Sequence, residues 1–267
     1  MNTLLWKRCI GKFYPAIFPR ARKIILLYHA VGNGPHAIDE TKFEAQIQWL
    51  NQYCQVIPLS ELLNSRSREK FQVSITFDDG YACLYSIAAP ILLKYKFSAT
   101  VYVNAGWIGE SSFDRKLSNP ALGHYPGEAF LTWGELKEMQ QQGWEVGSHG
   151  VDHLDLTEQK TRDTTNELVF SKQIIESRLK TDCPYFAYTW GKHNKKLREA
   201  VKQAGYQFSV AAHHAVHSNK EDFFALPRMN IEQHYSIKDF IAIIKGRWDY
   251  LGLIHKIRKY QYEKSSD

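Results

Sequence analysis

The chain reads as an α/β protein built around a parallel barrel, and three observations lead there. Short apolar runs, suited to buried strands, alternate with amphipathic helical stretches from residue 23 to residue 245. At 267 residues and 44% hydrophobic content, the chain can bury a sizeable core in one large domain or two small ones. Several of the apolar runs end in polar, chemically versatile residues, and α/β sheets hold ligands at the carboxyl ends of their strands. With no internal repeat and no low-complexity segment, the alternation favours a single domain over residues 23–247, flanked by a basic segment (1–22) and a basic tail (248–267).

In the N-terminal segment Lys7, Arg8, Lys12, Arg20, Arg22 and Lys23 all precede the first acid, Asp39. Without these six the 34 basic residues match the 28 acids, so the net charge of +6 resides there and favours an anionic neighbour. Trp6, Ile10, Phe13, Tyr14 and Ile17 recur at near-helical spacing, and Pro15 and Pro19 limit any helix to a short one. Such a helix either lies on a membrane interface or docks its apolar face on the domain. Nucleic acid is not an expected partner, because no recognised binding module follows. The N-terminus lacks the apolar core of a secretory signal, and no run of eighteen apolar residues exists. The expected location is therefore the cytoplasm, with peripheral contact at the inner face of the cell membrane through residues 1–22. Cys9, Cys54, Cys83 and Cys183 are scattered, as free thiols of a reducing compartment would be.

The domain opens with the apolar strand Lys23-Ile24-Ile25-Leu26-Leu27-Tyr28-His29, closed by the turn Gly32-Asn33-Gly34-Pro35. A helix presents Phe43, Ile47 and Leu50 on one face; Val56-Ile57 is a short strand, and Ser60 caps a brief helical turn. The strand Val73-Ser74-Ile75-Thr76-Phe77 runs into Asp78-Asp79-Gly80. A helix interrupted or tightened at Pro90 leads to the strand Ala99–Val103. Residues 104–130 have no period, and a loop this long is usually functional or mobile. Thr132 and Glu135 form a capping box for a helix that stops at Gly143. The strand Trp144–His149 follows, and Thr157 opens the long helix carrying Leu168, Ile175 and Leu179. Tyr185–Tyr188, Tyr206–Val210 and Leu226–Ile231 are the remaining strands, with a helix between Asn194 and Gly205. Ser236 caps a helix with Phe240, Ile243 and Ile244, and a helical tail from Trp248 frays at Ser265-Ser266-Asp267.

Two adjacent acids at a strand end can divide labour, one binding a metal while the other takes a proton. Alone, Asp-Asp-Gly is equally a turn. The segment Gly147-Ser148-His149-Gly150-Val151-Asp152-His153 can present two imidazoles on one side of a tight loop. With one carboxylate these make a three-ligand site with open positions, the catalytic form for zinc. Two surface histidines would give the same spacing, so the informative point is that both pairs fall where a barrel places its active site.

Thr76-Phe77-Asp78-Asp79-Gly80 and His149-Gly150-Val151-Asp152-His153 resemble the first two motifs of the polysaccharide deacetylase family (carbohydrate esterase family 4, the NodB-homology fold). Phe186-Ala187-Tyr188-Thr189-Trp190-Gly191-Lys192 resembles its third, and the likeness spans most of residues 24–245. The resemblance implies a distorted parallel (β/α)7-type barrel, with Asp78 as general base and Asp79, His149 and His153 as metal ligands. It implies a divalent metal, zinc first, with cobalt, nickel or manganese as alternatives. The implied reaction removes the N-acetyl group of an amino sugar, in a polysaccharide or glycan precursor, by water activated on that metal. The oxyanion would be held by the metal and by the backbone N–H of Trp190.

In most of the family the acid is a His in a Leu-x-His motif on the last strand. No such motif ends this chain, but Leu27-Tyr28-His29 has that form on the first strand, which neighbours the last in a barrel. A permuted arrangement of this kind occurs in relatives that deacetylate poly-N-acetylglucosamine, so His29 is the candidate acid; the alternative is a satisfied core histidine. Gly150 replaces the usual Ser or Thr, Leu154 and Thr189 each replace a Pro, and Ala187 stands where many members have an Arg that tethers the catalytic Asp. Arg228 either supplies that charge near Asp78 or makes a surface ion pair. His213, His214 and His217 are expected in a solvated loop rather than a second metal site. Trp107, Phe113, His124, Tyr125, Trp133 and Trp190 either line a sugar groove or pack the barrel mouth. Two other functions fit the same pattern: deformylation of a lipid-linked amino sugar, and a non-catalytic sugar-binding relative.

Overall fold

The computed structural model of the protein describes residues 3–14, 22–66, 71–217 and 222–254. Ile17, the two prolines beside it, Arg20 and the fraying terminus at residues 265–267 lie outside the described residues. Eight strands form one parallel sheet: β1 (Arg22–Tyr28), β2 (Gln55–Val56), β3 (Phe71–Phe77), β4 (Thr100–Val103), β5 (Glu145–Ser148), β6 (Tyr185–Ala187), β7 (Phe208–Val210) and β8 (Met229–Asn230). Their order is β7-β6-β5-β4-β3-β1-β8, with β2 paired to β3 off this path. Parallel strands need crossovers, and these are helices: α2 (Glu40–Tyr53), α3 (Leu59–Asn64), α4 (Ala89–Lys94), α5 (Trp133–Gln141), α6 (Thr161–Leu179) and α7 (Lys195–Gln203), with α8 (Ile237–Ile244) after β8.

The sheet curls into the expected distorted barrel. Leu226 bridges to Val210 at the end of β7, and four residues later Asn230 pairs with Leu27 of β1. One short segment thus links both edges of the sheet, and Arg228 sits within it. Ile24, Leu26, Tyr28, Val73, Ile75, Phe77, Val101 and Val103 are buried against the surrounding helices, and Ile25, Tyr102, Ala187, Val210 and Leu226 cluster on the other face, as a sheet covered on both faces requires.

Some local expectations change. Ser60 does not cap α3, which has Pro58 at its N-cap; instead the Glu145 carboxylate accepts from Leu59 N (3.0 Å), Ser60 N (3.2 Å) and Thr100 Oγ1 (2.7 Å). Thr157 does not open α6: its hydroxyl and amide bond Asp155 in the preceding turn, and the helix starts at Thr161. Before Pro90 the helix widens rather than tightens, as a π-helical turn over Leu84–Ala88. That turn places Pro90, which has no N–H to donate, in the first turn of α4, where none is needed. The histidine loop is not solvated: His214 and His217 are buried, since His217 N donates to Lys23 O of β1 (2.8 Å) and His214 lies 3.8 Å from Asp249. The described parts of both flanking segments pack on the domain. The N-terminal helix α1 (Thr3–Phe13) rests Leu4, Ile10 and Tyr14 on the core, and Trp248 and Tyr250 are buried, with Asp249 paired to Arg22. No described helix is long and apolar enough to cross a membrane.

Because Glu145 alone satisfies two amides of the first turn of α3, Glu145→Ala should destabilise the fold by about 1–3 kcal/mol. Urea denaturation of the two proteins measures this directly.

Candidate active site

Register brings the site together. Tyr28 pairs with Phe77, so the next residues, His29 and Asp78, stand side by side at the carboxyl ends of β1 and β3, and Asp78 N donates to Tyr28 O (3.0 Å). Val103 pairs with Ser148, and His149 N continues that ladder to Val103 O (2.8 Å). Asp79, His149 and His153 converge from these two places. Asp79 Oδ1 lies 3.5 Å from His149 Nε2 and 3.3 Å from His153 Nε2, and all three side chains are buried.

The other nitrogen of each ring is committed. His149 Nδ1 bonds Ala187 O (2.8 Å) and His153 Nδ1 bonds Leu122 O (2.6 Å). A carbonyl only accepts, so each Nδ1 carries the proton and each Nε2 turns a lone pair toward Asp79 Oδ1. That oxygen is buried with no hydrogen-bond partner among the described residues. Three lone pairs therefore face a common point, with ligand atoms all within 4.8 Å of one another. Two tetrahedral ligands at ~2.0–2.1 Å from one zinc ion stand about 3.3 Å apart, so this donor set fits a divalent cation. Electrostatics agree. Burial alone would raise the Asp79 carboxyl, but His153, His29 and His149 hold it far below the usual carboxylate range. Burial lowers His149, whereas at His153 the Asp79 carboxylate outweighs burial and raises it.

Backbone strain gathers at the same place. Among the described residues five non-glycines adopt left-handed φ, and three of them are Asp79 (71°), His153 (59°) and Trp190 (53°). The other two, Lys96 and Lys180, follow helix ends. The loop between the two histidines is clamped by Glu167 of α6, whose Oε2 accepts from Val151 N (2.7 Å) and Asp152 N (3.2 Å). Gly150, in the usual place of a Ser or Thr, has φ +90°, and a Cβ there would meet the same Glu167 oxygen at 3.0 Å. Nothing local in the sequence announced Glu167, which reads as one more acid on an amphipathic helix.

Asp78 faces a full counter-charge. Arg228 is 0% exposed and binds it through both terminal nitrogens, each at 2.6 Å, while its Nε donates to Ala211 O (2.9 Å). Tyr102 lies under the guanidinium at 5.5 Å. Burial would raise the Asp78 carboxyl; Arg228, His149 and His29 outweigh it and hold it below the ordinary value. Arg228 is thus the compensating charge and not a surface ion pair. A pocket of about 270 Å³ collects the predicted residues on its walls: His29, Asp78, Asp79, His149, His153 and Trp190. His29 stacks on Tyr125 (5.3 Å, 28°), and Trp190 meets His153 edge-on at 5.1 Å.

Of the six aromatic candidates only Tyr125 and Trp190 line this pocket. Phe113 is wholly exposed, and Trp133 is core. His124 is buried behind His153, where burial pushes it down to about 4, so it is neutral and accepts from Asn119 N (3.2 Å). Trp107 packs on His124 and Phe130. A long loop lacking period could not show which of its rings face inward.

A curled parallel barrel with a carboxylate and two imidazoles converging beside a second, paired carboxylate is the architecture of a hydrolase. The sequence profile of the polysaccharide deacetylase family matches residues 65–209, and the chain belongs to that family. It is 30% identical to YxkH of Bacillus subtilis over 233 residues, covering 85% of this chain and 77% of that protein. It is 29% identical to a poly-β-1,6-N-acetyl-D-glucosamine N-deacetylase of Staphylococcus aureus, over 80% of this chain and 72% of that one. The Streptococcus pyogenes deacetylase PplD, solved with acetate, superposes with a TM-score of 0.70 at 24% identity, covering 84% of this chain and 98% of that chain. IcaB from Ammonifex degensii superposes at 0.69 and 21%, covering 85% and 97%. The protein is a hydrolase of non-peptide carbon–nitrogen bonds, a polysaccharide deacetylase of carbohydrate esterase family 4 related to the poly-N-acetylglucosamine deacetylases.

Removing the guanidinium strands a buried carboxylate. Arg228→Met should cost about 3–5 kcal/mol at pH 7. In the parent, Asp78 is lowered on folding, so its contribution is present above the ordinary carboxylate range and lost as pH falls through its depressed value. In the variant burial raises Asp78, and that penalty is relieved as pH falls through the raised value toward the ordinary carboxylate range, so the stability gap should narrow steadily as the solution is acidified. Urea denaturation at pH 7 and in mild acid tests both parts.

Proposed function

We propose that the protein removes the acetyl group from N-acetylglucosamine units of a polysaccharide or its precursor, using a divalent cation held by Asp79, His149 and His153. The observation that carries this reading is the convergence of Asp79 Oδ1 and two Nε2 lone pairs on one buried point, with Asp78 beside it. Zinc suits one carboxylate and two imidazoles with open positions; cobalt, nickel and manganese accept the same donors. Such a cation supplies Lewis acidity toward both a water and the acetamido carbonyl.

This chain's own groups do the rest. Asp78, kept ionised by Arg228, accepts a proton from the attacking water. Trp190 stands on the pocket wall, and its backbone N–H is the donor assigned to the developing oxyanion. His29, across the pocket at the end of β1, donates a proton to the amine as the C–N bond breaks, because an unprotonated amine leaves poorly. Acetate and the free amino sugar result. The Staphylococcus aureus relative supports poly-N-acetylglucosamine as the substrate class. Deformylation of a lipid-linked amino sugar uses the same groups, and a substrate panel of formyl and acetyl sugars separates the two.

Chelation should abolish hydrolysis of an N-acetylglucosamine oligomer and zinc should restore it. Asp78→Asn should lower kcat by ~10²–10⁴-fold while metal content, read by elemental analysis, stays at the parent level. Asp79→Asn should lose both. A protein that purifies with no metal and hydrolyses the oligomer after chelation would overturn the reading. Glu167→Gln keeps the volume but weakens the clamp on the histidine loop, so zinc affinity measured by competition with a chromophoric chelator should fall ~10–100-fold.

A further inference from the structure

Helix α1 carries apolar side chains on two faces, and the domain covers one of them. Lys7 reaches Tyr235 Oη (2.6 Å) and Glu232 (3.3 Å); Arg8 grips Asp239 through Nε (2.8 Å) and Nη2 (2.6 Å); Tyr250 Oη donates to Lys7 O (2.9 Å). Gly11 lies so close to Trp248 that a Cβ would meet the indole at 2.9 Å. The docking is therefore specific and fixes which side faces out. Turned away are Leu5, Trp6 and Phe13, exposed by 56%, 53% and 87%. At 100° per residue these three fall within a sector of about 100°, one continuous stripe on a short helix. Single exposed apolar residues are ordinary on a protein surface; such a stripe marks a contact.

A basic groove runs beside the stripe. It measures about 410 Å³ and lies between α1 and α8, with Arg8, Lys12, Lys238 and Arg247 on its walls and Ala242 and Trp248 in its apolar part. The acid of the groove, Asp239, is consumed by Arg8 and by the cap of α8 at Ser236. Among the described residues Lys12, Lys238 and Arg247 make no ion pair.

We propose that α1 and this groove dock the protein on a bilayer containing anionic phospholipid. Leu5, Trp6 and Phe13 enter the interfacial layer, where an indole and a phenyl ring are well placed between water and hydrocarbon. Lys12, Lys238 and Arg247 take the headgroup phosphates, each cation at such a surface contributing about fivefold in affinity. A second copy of the chain fits less well, because a twofold contact would set the same unpaired cations against themselves. The docked helix is also tied to the site. Glu232, held by Lys7, lines a polar pocket of about 280 Å³ that shares His29, Tyr125 and Asn230 with the catalytic one.

Flotation of the full chain with vesicles tests the proposal without reference to catalysis. Binding to phosphatidylcholine vesicles containing phosphatidylglycerol should be at least tenfold tighter than to phosphatidylcholine alone, and should weaken in ~0.5 M salt. Trp6→Ser with Phe13→Glu should lower affinity at least tenfold. Lys12→Glu and Lys238→Glu should each cost about fivefold or more on anionic vesicles and nothing on neutral ones. All these variants should keep the parent melting temperature and the parent hydrolysis of a soluble acylated oligomer, so that lost binding reports the surface alone. Failure to float with either vesicle, or flotation that none of the substitutions weakens, overturns the proposal. So does a dimer in lipid-free solution that Phe13→Glu dissociates.

Discussion

Two neighbouring carboxylates buried at the end of one strand are the constraint around which the barrel mouth is arranged. Asp78 and Asp79 are each about as inaccessible as a core leucine, and two anions so close cannot both ionise without separate counter-charges. The structure divides them. Asp78 takes the guanidinium of Arg228 in a two-point contact, and Asp79 takes the imidazoles of His149 and His153. The peptide between the two acids turns through the left-handed conformation at Asp79 (φ 71°), which sends the side chains to different partners. Without that turn both acids would compete for one partner; with it, each carboxylate keeps its own counter-charge.

The counter-charge for Asp78 also explains a departure from the family pattern. Where many members carry an arginine in the third motif, this chain has Ala187, whose carbonyl instead fixes the tautomer of His149. The arginine arrives from the opposite side, on the segment that joins β7 to β8. Leu226 bonds β7 and Asn230 bonds β1, so Arg228 is held between two strands before it reaches Asp78. The guanidinium occupies the barrel interior, satisfied by Asp78, Thr76 and the Ala211 carbonyl and backed by the Tyr102 ring. Closing the barrel and pairing Asp78 with its counter-charge are one event.

What could be read from the sequence follows from how local each signal is. Asp78, Asp79, His149 and His153 were legible because a strand end places neighbouring residues in one spot whatever the rest of the chain does. The position of His29 was legible because the first strand neighbours the last in a barrel, and β1 does pair with β8. Arg228 could be suggested only from a charge missing elsewhere. Glu167 and the Leu122 carbonyl were invisible, since their roles depend on a helix and a loop arriving from 14 or more residues away. The same blindness gave Ser60 a capping role that Glu145 performs, placed His214 and His217 in solvent, and left open whether Trp133 lines a sugar groove or packs, where the structure buries it in the core. In each case the local pattern was sound and a distant neighbour decided the outcome.

Strain and its compensation complete the account of the metal-ligand loop. Left-handed backbone at Asp79, His153 and Trp190 costs about 1–3 kcal/mol at each residue. No single contact offsets that, but the hydrogen bonds of the loop act together. His149 N extends the β4 ladder, Ala105 and Gly106 donate to the Gly150 and Val151 carbonyls, and Glu167 collects the next two amides. These bonds pin the backbone on both sides of His149 and up to the residue before His153, while the two ring nitrogens facing carbonyls lock the imidazoles. The loop is therefore rigid before any cation arrives. A cation binding there would spend no affinity on ordering the loop.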